Sequence, residues 1–296
     1  VAPLKYFAFL IARALARVLP LKALYVLADI VGEIWYAASP RLRAVLAHNL
    51  ALLPGLEDEG APGERGTGPL ARRISRNFGR VVAEFLYSPR VTSRNIARFV
   101  DTESFEPLKK YSGAPGAVFA TAHLGSWEFA AIILSMLGVS LSVIVYDDPD
   151  PRVARLFRKS REARGIRVIP VKATSRELVA AVREGSLGVV ADRDFSGRGM
   201  PAEFFGRRTS MPFAYAGLAL ARGMPVVFGV CVKQRDGKYH LEMDEPIRGS
   251  RDDPEGARRI AAECISRIEK CVEKYPEQWY LFQKIGGERD PDERAR

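Results

Sequence analysis

The sequence predicts an α/β fold: a largely parallel central sheet flanked by helices, with an N-terminal apolar helical region. Three observations predict it. From about residue 116, short apolar runs alternate with longer segments of helical period. The apolar runs are nearly continuous, as in strands buried on both faces of a parallel sheet. Up to residue 52 the apolar segments read instead as two or three helices, punctuated by Pro20 and Pro40.

The elements follow in order. YFAFLIARALARVLP carries Arg13 and Arg17, and residues 21 to 38 carry Asp29 and Glu33. Neither run reaches the roughly 18 uncharged residues of a spanning helix. Arg13 and Arg17 are four apart and share a helix face, which suits a helix lying in a membrane surface. An ordinary amphipathic helix packed on the domain has the same pattern. Residues 54 to 69, rich in Gly, Pro and acid, form a loop, and the helix LARRISRNFGRVVAEFLYSP follows it. This organisation gives membrane-associating helices over 1–52 and an α/β domain over 70–296.

Within that domain VFATA is a strand, and Ser126 caps the helix WEFAAIILSML, which Gly138 ends. LSVIVY is a strand, PRVARLFRKSREARG a basic helix closed by Gly165, and RVIPV a strand. Thr174 and Glu177 form a capping box opening the next helix. LGVVAD is a strand, followed by a Gly-rich polar loop. SMPFAYAGLALARG reads as a helix with Pro212 in its first turn. PVVFGVCVK and YHLEMDEPI flank QRDGK as a hairpin, and a long helix runs from about 253 to 274.

Composition narrows the partners. A formal charge of +10 and 45 Lys and Arg residues call for anionic partners. Nucleic acid is disfavoured, because aromatics do not interleave with the basic stretches. Cys231, Cys264 and Cys271 are odd in number and form no CxxC, so neither a disulfide framework nor a zinc site is indicated. They read as small buried apolar residues.

In parallel α/β sheets the ligand site lies beyond the carboxyl ends of the strands. His123 and the loop Asp192-Arg193-Asp194 both fall there. His123 ends a strand, and Glu128 sits in the first turn of the next helix, where positive potential favours its ionised form. A carboxylate beside an imidazole fixes its tautomer and stabilises imidazolium, making His123 a competent general base. The same spacing also fits a polar turn with a helix-stabilising Glu.

Six segments decide between these readings: AHNLAL at 47–52, NFGRVVAEFL at 77–86, ATAHLGSWE at 120–128, VVADRDFSGRG at 189–199, EFFG at 203–206 and PEQWYLF at 276–282. In order and spacing they resemble the lipid A late-acyltransferase family, to which the phosphatidylinositol mannoside acyltransferases are similar. The resemblance implies a glycerolipid-acyltransferase-like fold and an HxxxxE motif. It implies acyl transfer without a covalent acyl-enzyme, from an acyl carrier protein or coenzyme A thioester to a glycolipid hydroxyl. The thioester is a co-substrate, and no other cofactor is implied. His123 would be the base and Glu128 its partner. Arg161, in an R-x-x-x-G setting, would hold a phosphate or polarise the thioester carbonyl; Arg158 and Arg164 are close enough to take that assignment instead. Asp192 and Asp194 would orient an acceptor hydroxyl or pair with Arg161 or Arg193, and Glu203 would help position the acceptor. Two carboxylates can hold Mg²⁺; the metal-free reading is preferred because proton abstraction leaves a metal no required task. Phe204 and Phe205 read as core or as the wall of an acyl groove, and Trp279 and Tyr280 as packing residues.

The expected setting is the cytoplasmic face of the inner membrane. Tyr146-Asp147 stands where lipid A members carry Tyr-Arg, which weakens lipid A itself as acceptor. A non-catalytic lipid-binding scaffold and a thioesterase are the alternatives.

Overall fold

In the computed structural model, residues 2–56, 67–113, 116–183 and 185–286 are described. Most of the acidic loop at 54–69 lies outside them. Three helices come first: α1 (Ala2–Val18), α2 (Leu21–Ala38) and α3 (Pro40–Leu50). Pro20 precedes α2, and Pro40 opens α3 behind Ser39, whose hydroxyl accepts from Leu42 N–H at 3.2 Å. Next are α4 (Thr67–Tyr87), the short α5 (Thr102–Phe105), β1 (Val118–Thr121), α6 (Trp127–Met136), β2 (Leu141–Val145), α7 (Pro151–Glu162), β3 (Arg167–Pro170), α8 (Ser175–Arg183) and β4 (Ser186–Val190). The chain ends with β5 (Met200–Phe204), β6 (Arg207–Met211), α9 (Ala214–Arg222), β7 (Val226–Lys233), β8 (Tyr239–Met243) and α10 (Gly256–Lys274).

The caps are where the sequence places them. Phe129 N–H donates to Ser126 Oγ at 3.3 Å. Thr174 N–H donates to Glu177 Oε2 at 2.7 Å, and Glu177 N–H returns the bond to Thr174 Oγ1 at 3.3 Å, closing the capping box.

The main sheet has the order β3-β2-β4-β1-β7-β8. Its first five strands are mutually parallel, and β8 returns antiparallel through a turn with Gly237 at φ 78°. One face packs against α6 through Phe129, Ile133, Leu141 and Val227. The other, carrying Val118, Ala120, Leu187 and Phe228, shares one core with α10 and with Leu42, Leu46 and Leu50 of α3. Asn49 ties α3 to the C-terminal segment, donating to Leu281 O and Gln283 O at 3.1 and 2.8 Å.

One local expectation is corrected. Ser210 and Met211 are not the start of a helix but the end of β6, and Pro212 precedes α9 instead of entering its first turn. Met211 is buried and pairs with Met200, so the polar loop contains the β5–β6 hairpin. Its turn holds Phe205 at φ 47° and Gly206 at φ 68°, the two left-handed residues of a tight hairpin. No Asn-Gly or Asp-Gly signal marks it. Glu269 holds the costly Phe205 conformation by accepting its backbone N–H at 2.6 Å.

The N-terminal helices are tied in at Glu84 of α4, a carboxylate only 1% exposed. It accepts from Tyr25 of α2, from Lys233 Nζ at 2.5 Å and from Tyr239 Oη at 2.6 Å. Tyr25→Phe removes both the hydroxyl's bond to Glu84 and the one it accepts from Lys233 Nζ at 2.8 Å, so urea unfolding is expected to show a loss of about 1.5–3 kcal/mol or more. An unchanged midpoint would mean the tether carries no stability.

Candidate active site

Sheet register brings the central pair together. β1 and β4 are adjacent and parallel, with Thr121 opposite Val190. Two residues past that level on each strand stand His123 and Asp192. His123 Nδ1 lies 2.7 Å from Asp192 Oδ1, and His123 backbone N–H donates to Oδ2 at 2.9 Å. Trp279 Nε1 also donates to Oδ2, at 3.3 Å. Burial penalises the Asp192 charge, but His123 and Trp279 outweigh it, and the carboxyl is held below its ordinary value. An ionised Asp192 makes Nδ1 the protonated ring nitrogen, so Nε2 is the basic one.

The expected His123–Glu128 couple is therefore corrected: the carboxylate on the His123 ring is Asp192, and Glu128 engages Arg161. Glu128 points from the first turn of α6 toward α7, where Arg161 Nε reaches Oε2 at 3.1 Å and Nη2 reaches Oε1 at 2.5 Å. The two side chains are 12% and 11% exposed. Burial alone would lower the Arg161 guanidinium, but the charge and hydrogen bonds of Glu128 raise it on balance. Phe85 lies 5.4 Å from Arg161 Cζ and adds a cation–π contact.

The other predicted residues divide. Arg164 turns away: its guanidinium donates to Val91 O at 2.9 Å and to Ser88 O, pinning the end of α7 to the segment after α4. Burial lowers its pKa. Asp194 organises its own loop, accepting from Ser196, Gly197 and Gly199 N–H groups at 2.9 to 3.0 Å and from Ser210 Oγ at 2.7 Å. Arg193 stacks on Phe195, 4.0 Å from Cζ to the ring centroid, and both line the same cavity as His123. Glu203 is exposed on β5 opposite Arg208, outside that cavity's lining. Phe204 and Phe205 pack on Trp279 and do not line that cavity.

Sequence reasoning missed how far the C-terminal segment serves the site. Beyond Trp279, Tyr280 N–H donates to His123 O at 2.7 Å, and Gly125 N–H donates to Gln278 O at 2.9 Å. Gly125 has φ 64°, and an added Cβ would lie 2.0 Å from Cys231 O, so no larger residue fits where the loop after His123 crosses β7. The order of PEQW in the chain was the sole hint of this. Cys231 is buried there, and burial pushes its thiol up, away from nucleophilic use.

His123, Glu128 and Arg161 line a cavity of about 1120 Å³. It runs between α6 and the sheet, past Ala130, Ala131 and Leu134 on the helix and Val143, Phe119 and Val227 on the strands. Lys5 of α1 and Lys172 border it as well. A basic imidazole with a fixed tautomer, an anchored cation and an apolar chamber meet at one point.

The family described as bacterial lipid A biosynthesis acyltransferase matches residues 2–285. A phosphatidylinositol mannoside acyltransferase of Mycolicibacterium smegmatis is 23% identical over 254 residues, spanning 84% of this chain and 81% of that protein. A phosphatidylinositol mannoside acyltransferase of Mycobacterium tuberculosis (strain H37Rv) is 23% identical over 246 residues, spanning 80% and 75%.

Proposed function

The chain belongs to the bacterial lipid A biosynthesis acyltransferase family and is an O-acyltransferase, and from that premise we propose that it acylates a hydroxyl of a membrane glycolipid by general-base catalysis at His123. The single observation that carries this reading is the His123–Asp192 pair beside the apolar cavity. His123 Nε2 takes the proton of the acceptor hydroxyl as its oxygen bonds to the thioester carbonyl carbon. The tetrahedral oxyanion collapses, the carbon–sulfur bond breaks, and the imidazolium returns the proton to the leaving thiolate. Asp192 stabilises the imidazolium between these steps. Arg161, held by Glu128, supplies positive charge where the oxyanion develops. The apolar cavity takes the acyl chain, each buried methylene contributing about 0.8 kcal/mol.

The donor is an acyl thioester of coenzyme A or an acyl carrier protein. Both are anionic, in keeping with the charge of +10. The names of the relatives favour a phosphatidylinositol mannoside over a lipid A precursor as acceptor. The test incubates purified protein with labelled palmitoyl thioesters of each carrier and with each purified glycolipid, and identifies products by mass spectrometry. An acylated mannoside is expected. Release of free fatty acid alone would replace this reading with a thioesterase.

The reading includes a membrane surface, on the cytoplasmic side. Among the described residues, no helix is long and apolar enough to cross a membrane. The exposed large hydrophobic side chains among the described residues, including Leu4, Phe7 and Ile11 of α1 and Val26, Ile30 and Val31 of α2, lie on these two helices. Such a patch marks an interaction surface, and α1 also borders the cavity through Lys5 and Phe9. Phe7→Glu with Ile11→Glu is expected to cut sedimentation with anionic phospholipid vesicles by roughly tenfold or more. Undiminished sedimentation of the folded double variant would remove α1 from the contact.

A further inference from the structure

Gly188 sits midway along β4, in the face of the sheet that the cavity follows. It has no positive φ, so its backbone does not require glycine. Glycine inside a strand sacrifices packing and marks a place where another group comes close. The register shows what surrounds it. Gly188 lies between Val143 of β2 and Phe119 of β1, and Phe119 in turn pairs with Val227 of β7. These four form one row across the cavity wall. The row nearer His123 holds Thr121 and Val190, and a strand rises about 3.3 Å per residue, so the Gly188 row is roughly 7 Å deeper. Leu141, two residues before Val143 on β2, lines the cavity deeper still, and Leu134 of α6 lines it as well.

A Cβ built on Gly188 would meet Val143 Cγ1 at 3.1 Å and Leu141 Cδ1 at 3.6 Å, both side-chain ends in the cavity lining. Adding a side chain here therefore displaces cavity space at slight cost to the backbone. Gly229, the other cavity-lining glycine, differs. Its Cβ would press on Glu242 O at 3.1 Å, in the backbone of β8.

We infer that Gly188 is a specificity-determining residue: its missing side chain opens the deep half of the cavity and sets the longest acyl chain the enzyme accepts. The inference rests on the acyl-transfer reading above. On α6 the same cavity is lined by the methyls of Ala130 and Ala131 and, further along the helix, by Leu134. An acyl chain passing Gly188 reaches Leu134 and Leu141; one stopped by a larger residue leaves its last methylenes unburied, at roughly fourfold in kcat/KM for each.

The experiment measures kcat/KM of the full chain and its Gly188→Ala and Gly188→Val variants with octanoyl, dodecanoyl and hexadecanoyl thioesters of both carriers. The readout is the ratio of hexadecanoyl to octanoyl. It is expected to fall in Gly188→Ala and to fall by roughly tenfold or more in Gly188→Val, with a shorter preferred chain. Should Gly188→Val not fold, Gly188→Ala carries the test through its smaller shift. An equal loss at every length, or an unchanged ratio in a folded variant, overturns the role of Gly188 while leaving acyl transfer in place. A wild-type protein that transfers none of the chains overturns the function itself, and this inference with it.

Discussion

Asp192→Asn is expected to lower kcat by roughly 10²–10⁴-fold, close to the loss from His123→Ala. Asp192 meets His123 twice, at the ring and at the backbone, and meets Trp279 as well. The amide of Asn has one acceptor oxygen where the carboxylate has two, and it carries no charge to stabilise imidazolium. Binding of the donor is spared, because Asp192 is fully buried behind the imidazole, so the loss falls on kcat more than on KM. The same carboxylate leaves a mark on stability. Its folded pKa is depressed, so its contribution is fully present above the ordinary Asp value of about 4 and is lost as pH falls through the lower folded value. Urea unfolding from neutral pH downward should show this loss in the wild type and its absence in Asp192→Asn. A folded Asp192→Asn enzyme with wild-type kcat would sink the assignment of His123's partner.

Arg161→Ala is expected to cost about 3–5 kcal/mol of stability as well as activity, because it leaves the Glu128 carboxylate buried without its cation. Solvent rescues little of this at 11% exposure. Glu128→Leu with Arg161→Met removes both charges at similar volume, and should recover most of the stability while remaining inactive. That separation is the point of the pair: thermal melting reports the ion pair, and turnover tests the proposed role of the Arg161 cation. Glu128→Gln should shift the pH profile of kcat far less than Asp192→Asn, since Glu128 touches Arg161 and not the imidazole. A larger shift in Glu128→Gln would restore Glu128 as the acid that tunes His123.

Much of this molecule is written locally. The strands at 118–121, 141–145, 167–170 and 186–190, the caps at Ser126 and Thr174, and the helix breaks at Pro20 and Pro40 all follow from side-chain period, turn residues and capping chemistry within a few positions of themselves. The β5–β6 hairpin escaped because its strands are polar and its turn is Phe-Gly, held by Glu269 from a helix more than sixty residues away. The site divides the same way. His123, Glu128, Arg161 and Asp192 are each marked by position at a strand end or in a motif, so their presence at one end of the sheet was legible.

By itself the sequence determined the parallel α/β fold, the end of the sheet where the candidate site lies and the side chains available there, since each depends on short-range period and on residue type. Tertiary structure alone decided the pairing. His123 and Glu128 are five residues apart, but a helix start directs Glu128 toward α7, where it meets Arg161. His123 and Asp192 are 69 residues apart, and the β1–β4 register sets them side by side. Strand order and register are global properties of the packed sheet. They gave the imidazole its true carboxylate, and they opened beside Gly188 a cavity that no single strand encodes.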